Sequence, residues 1–107
     1  MMAVPLELSI TQELAPNGAC RLLVQGELDI YTAPELEEAL STVTDSQTVV
    51  IDLRACRYID SSTISVLLRW RKTSAAKVRI IVANAGAVSR VLQITGVDSV
   101  IPVSIED

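Results

Sequence analysis

Asp60, Ser61 and Ser62 place a carboxylate and two hydroxyls in direct succession. Residues of these types can cap a helix, because a short polar side chain accepts hydrogen bonds from the first backbone N–H groups. They can also present a phosphoacceptor, since a phosphate at a helix start meets unpaired N–H groups and the positive end of the dipole. Asp29 is the second carboxylate expected at the same place. A phosphate on Ser61 would bring about −1.5 to −2 charge beside both aspartates, and that repulsion opposes the helix-end attraction. A switch can use the opposition. Spacing alone favours the cap, because such caps begin many helices. Asp29 and Asp60 could instead hold a metal ion for phosphoryl transfer. No third ligand accompanies them, so no metal and no other cofactor is expected.

Composition narrows the chemistry. The 107 residues include no histidine, which removes Ser-His-Asp and Cys-His catalysis and every histidine metal site. Two cysteines 36 positions apart, Cys20 and Cys56, are too few and too separated for a zinc site or a redox pair. Cys20 alternates with strand residues and reads as a small buried hydrophobe. No catalytic residues are expected, and the chain is not read as an enzyme. A net charge of −4 argues against direct nucleic-acid binding, which needs a basic field. No apolar run is long enough to span a bilayer, and the start, Met-Met-Ala-Val-Pro, has no basic and apolar leader pattern. A cytoplasmic protein of one domain, residues 1–107, is the expectation.

The chemistry-bearing residues need elements to position them. Leu6, Leu8 and Ile10 alternate with polar residues, Pro16-Asn17-Gly18 signals a turn, and Cys20, Leu22 and Val24 alternate again. That pattern is a β-hairpin. Residues 26–31 then read as leaving the sheet. Thr32-Ala33-Pro34-Glu35 has the form of a capping box ahead of Leu36, Ala39, Leu40 and Val43, a helical stripe. The β-branched run 48–53 reads as a central strand, and 54–59 as a connection. Ile64, Leu67 and Leu68 mark a second helix over 61–75. Lys77 to Val82 reads as a strand. Val88, Val91 and Leu92 mark a third helix stopped by Gly96, and 100–103 a last edge strand containing Pro102.

Parity adds the architecture. Val49, Ile51, Leu53 and Val78, Ile80, Val82 make one apolar sheet face, whereas the other face is mixed. Right-handed crossovers that advance in one direction put every helix on one side. The fold class is therefore α/β: a mixed sheet that starts with a β-hairpin, with helices packed on one face. Leu23, Val50 and Ile81 would form a small patch on the other face. Asp29 and Asp60 would leave adjacent strands at the same rim, where open α/β sheets place working residues.

Two stretches carry a family resemblance. Val49-Val50-Ile51-Asp52-Leu53, then Tyr58-Ile59-Asp60-Ser61-Ser62, then Ile64 and Val66-Leu67-Leu68 resemble the signature of STAS domains. Gly26-Glu27-Leu28-Asp29 followed by Thr32-Ala33 adds to it, and the likeness to bacterial anti-sigma factor antagonists runs over nearly the whole chain. The resemblance implies a transcription regulator that binds an ATP-dependent anti-sigma factor serine kinase and thereby frees the sigma factor. It implies that Ser61 is phosphorylated, that Asp29 and Asp60 are its acidic neighbours, and that phosphorylation switches binding off. Where the family continues with Gly-Leu-Gly, this chain has Thr63-Ile64-Ser65. Bulk at Thr63 would then crowd a docked partner, and Ser62, Thr63 and Ser65 add competing hydroxyls. A second implied possibility is a small STAS subunit that binds the ATPase of a lipid-transport ABC complex without being phosphorylated.

On a helical wheel Val66 and Trp70, four apart, share a strip beside Thr63, next to the core side defined by Ile64, Leu67 and Leu68. That strip starts at the acidic rim, and aromatic residues are favoured interface anchors. The expected partner-binding set around Ser61 is thus Asp29, Asp60, Ser62, Thr63, Val66 and Trp70. The alternative places Trp70 over a neighbouring helix as peripheral core.

Overall fold

The computed structural model describes residues 8–45, 47–84 and 86–106. Strands β1 (Ser9–Leu14) and β2 (Cys20–Leu28) form the antiparallel hairpin, in register from Ser9 opposite Gln25 to Leu14 opposite Cys20. The turn closes through Asn17, whose Oδ1 accepts the Ala19 N–H at 3.0 Å, and through Gly18 at φ 86°, a conformation without a Cβ penalty only for glycine. Leu6 and Glu7 of the expected first strand lie outside the described residues.

After the hairpin the chain alternates: α1 (Ala33–Ser41), β3 (Thr48–Ile59), α2 (Ser61–Thr73), β4 (Lys77–Val82), α3 (Ala87–Ile94), a single 3₁₀ turn (Val97–Ser99) and β5 (Val103–Ile105). The sheet order is β1-β2-β3-β4-β5, with β2 to β5 parallel. Each crossover advances one strand, which puts the helices on one face. There Leu22, Ile51, Leu53 and Ile80 bury against Leu36 and Leu40 of α1, Leu67 of α2 and Leu92 of α3 in one core.

Several expected boundaries move. β2 does not leave the sheet at residue 26 but stays paired to Leu28, through register irregularities at Leu23/Gln25 and Gly26/Glu27. Gly26 sits at φ 105°, so the glycine that reads as a breaker marks a bulge. Residues 54–59, expected as a connection, extend β3 and pair with β2 up to Ile59 opposite Leu28. α2 ends at Thr73 rather than 75. The last strand falls at Val103–Ile105, because Ile101 turns fully inward ahead of Pro102. Gly96 takes the left-handed conformation (φ 77°) directly after α3, as expected of a helix stop.

The helix-free face is not an open apolar patch. Asp52, only 3% exposed, receives Arg54 Nε and Nη2 at 3.0 and 2.8 Å and Arg21 Nη2 at 3.1 Å. Ile81, opposite Asp52 in register, is 1% exposed, and Leu23 and Val50 are half-buried. Arg79 pairs with Glu106 on the same face at 3.2 Å. Long arginine stems thus cover what helices do not.

Candidate functional site

Register assembles the rim. Leu28 of β2 lies opposite Ile59 of β3 at the ends of two neighbouring parallel strands. The next residue on each is a carboxylate, Asp29 and Asp60, so the sheet delivers both to one edge.

Asp29 builds its corner by local hydrogen bonds. Its Oδ1 accepts the N–H groups of Tyr31 and Thr32 at 2.9 and 3.0 Å and lies 3.1 Å from the Thr32 hydroxyl. Desolvation alone would raise its pKa, but the bonds from Tyr31 and Thr32 outweigh it and hold the carboxyl below its usual range. The capping box expected at Thr32 does not form: no side-chain cap bond is made there. Thr32 Oγ1 instead accepts the Asp29 N–H at 2.9 Å and faces the Glu27 carbonyl at 2.9 Å. The signal was present in the spacing, since an aspartate accepts N–H groups two and three residues on.

Asp60 is the N-cap of α2. Its backbone is extended, its Oδ1 accepts the Ser62 N–H at 2.9 Å, and its carbonyl accepts the Thr63 N–H at 3.1 Å. Ser61 is therefore the first helical residue, and it is exposed. Ser62 is half-buried beside a cavity of about 300 Å³ between α1 and α2, whose lining includes Ile30, Pro34, Ser65 and Val66. Large apolar side chains stand out around this rim, with Ile30 and Tyr31 66% and 87% exposed and Tyr58 47%.

The strip expected on α2 is corrected. Thr63 is fully buried and donates its hydroxyl to the Leu28 carbonyl at 3.2 Å, so it neither crowds a partner nor offers a hydroxyl to one. Val66 is 4% exposed, and Trp70 is half-buried and packed against the core. The buried side of α2 centres between Thr63 and Leu67, wider than Ile64, Leu67 and Leu68 suggest, because it faces both the sheet and α1. The outward strip is Ser61, Ser65 and Arg69, the last paired with Glu37 of α1 at 2.8 Å.

Asp29 Oδ1 accepts two backbone N–H groups and Asp60 Oδ1 one, and no cluster of three or more metal-ligating side chains exists among the described residues. Cys56 is buried, its thiol donating to the Tyr58 carbonyl at 3.3 Å, and burial pushes its pKa up. Among the described residues no helix is long and apolar enough to cross a membrane.

A family model described as "Mlab, STAS domain" matches residues 12–102. The anti-sigma-F factor antagonist RsfB of Mycobacterium tuberculosis is 36% identical over 85 residues, covering 77% of this chain and 70% of that protein. The anti-sigma-B factor antagonist of Staphylococcus aureus is 31% identical over 85 residues, covering 76% of this chain and 79% of its own. Among solved structures, an anti-sigma factor antagonist from Mycobacterium paratuberculosis superposes with a TM-score of 0.83 at 26% identity, over 96% of this chain and 90% of that one. The chain belongs to the STAS domain family, alongside relatives that are named anti-sigma factor antagonists.

Proposed function

We propose that this protein is an anti-sigma factor antagonist whose unphosphorylated form binds an anti-sigma factor serine kinase and releases the sigma factor. The observation that carries the reading is Ser61: exposed, first in α2, directly after a capping aspartate and on the same rim as Asp29. The helix start favours a phosphate on Ser61, while Asp29 and Asp60 oppose it. Phosphorylation then changes the charge of the surface the kinase must cover, and binding is lost. Asp29, Asp60 and Ser62 contribute to that surface. The protein works by binding rather than catalysis, in the cytoplasm where sigma factors act.

The test uses the anti-sigma factors encoded in the same genome, purified singly and incubated with this protein and ATP. Mass spectrometry is expected to find phosphate on Ser61. Modification of Ser62 or Ser65 with Ser61 untouched would refute the assignment. The family model's description, Mlab rather than antagonist, keeps a second reading: a subunit that docks on the ATPase of a lipid-transport ABC complex without phosphorylation. Stable co-purification with an ABC ATPase and no phosphate transfer would select it.

A further inference from the structure

The peptide that joins Leu28 to Asp29 is held from both sides. Its carbonyl accepts the Thr63 hydroxyl at 3.2 Å, and its N–H donates to the Thr32 hydroxyl at 2.9 Å. The C=O and N–H of a trans peptide point in opposite directions within its plane, so the two threonines hold opposite edges of one rigid unit. Thr63 belongs to the first turn of α2, two residues after Ser61, and Thr32 stands at the start of α1. Leu28 ends β2 with no exposure, and Thr63 has none either. A buried hydroxyl bonded to a partner 35 residues away fixes geometry, because leaving it unpaired is costly.

We infer that Thr63 is a positioning residue: through the Leu28 carbonyl it locks the Asp29 corner to the first turn of α2, setting Asp29 against Ser61 for recognition by the kinase. The clamp couples three elements that sequence alone leaves independent. Without the Thr63 hydroxyl, Asp60 still caps the helix and Asp29 still folds its own turn. What is lost is the side-chain tie that adds to the pairing of Leu28 with Ile59. The recognition half of this inference rests on the function proposed above; the locking half does not.

The experiment compares wild type with Thr63→Val, which keeps the shape and removes the donor, and Thr63→Ser, which restores it. Amide hydrogen exchange is read at Asp29, Tyr31 and Thr32, with Ile80 of β4 as the remote reference. Thr63→Val is expected to speed exchange at the three corner amides about tenfold, the worth of one hydrogen bond, leaving Ile80 unchanged. Thr63→Ser is expected to return them to wild-type rates. Binding to the anti-sigma factor identified by phosphate transfer should weaken in Thr63→Val and recover in Thr63→Ser. Uniform acceleration that includes Ile80, or no change at the corner, overturns the lock. A loosened corner with undiminished binding overturns the positioning role. Wild-type protein that binds none of the anti-sigma factors refutes the proposed function, and the recognition half falls with it while exchange still decides the lock. Should Thr63→Val not fold, Thr63→Ala removes the same donor and is read in the same way.

Discussion

Replacing Asp52 by asparagine tests whether the helix-free face is held by charge. Asp52 accepts four contacts: Arg54 Nε at 3.0 Å, Arg54 Nη2 at 2.8 Å, the Arg54 backbone N–H at 3.1 Å and Arg21 Nη2 at 3.1 Å. Removing one partner of a buried ion pair costs about 3–5 kcal/mol, because the other charge is left uncompensated. Here the Arg54 and Arg21 side chains keep 34% and 39% exposure to water, and asparagine retains one acceptor. Water and the remaining acceptor reduce the loss to about 2 kcal/mol. In urea at pH 7 the midpoint should fall by roughly 1.5 M with an unchanged slope, and Tm by about 10 °C. The pH dependence separates charge from shape. The Arg54 hydrogen bond, with the charges of Arg54 and Arg21, outweighs desolvation and lowers the Asp52 pKa in the folded state. A carboxyl with a depressed folded pKa contributes stability above its unfolded pKa, and loses it as pH falls through the folded value. The difference between wild type and Asp52→Asn should therefore stay level from about pH 8 to 5 and shrink below about pH 4. A loss under about 0.5 kcal/mol, or one that persists unchanged in acid, would refute the argument and leave the arginines as surface decoration.

Three further outcomes follow from the site. Ser61→Asp should weaken binding to the cognate anti-sigma factor at least tenfold while Ser61→Ala retains it, measured by calorimetry; equal dissociation constants remove the charge switch. Asp60→Ala removes the bond to the Ser62 N–H and should cost about 1 kcal/mol in urea unfolding, with an unchanged midpoint counting against the cap. Trp70 is half-buried against the core, so its emission should be shifted to shorter wavelength than free indole, with slow iodide quenching that binding does not alter. Full exposure to iodide would return it to the surface.

Much of this architecture is legible in the sequence because period-2 and period-3.6 patterns report burial directly. The hairpin, the one-sided helices and the common exit of Asp29 and Asp60 all follow from parity and handedness. Boundaries at residues 26 and 54 fail for a shared reason. Gly26 reads as a breaker and Arg54 to Tyr58 interrupts the β-branched run, yet β2 and β3 pair with each other through that stretch, and pairing is a property of two segments at once. Asp52 makes the same point: on its own strand it is a polar residue of a mixed face, and its burial is made tolerable by Arg54 two residues on together with Arg21 of the neighbouring strand.

Thr63 shows where reading one element at a time stops. Judged on its helix, it borders the exposed strip, and a threonine in place of glycine adds bulk toward a visitor. Its orientation is decided instead by the Leu28 carbonyl at the end of β2, 35 residues earlier. That carbonyl sits where a parallel strand ends, and a helix start packed against it offers a buried hydroxyl a partner the pattern cannot reveal. The residue that looks like an obstacle on the surface is thus an interior link, and what stands exposed around it is Ser61, Ser65 and the Ile30–Tyr31 corner.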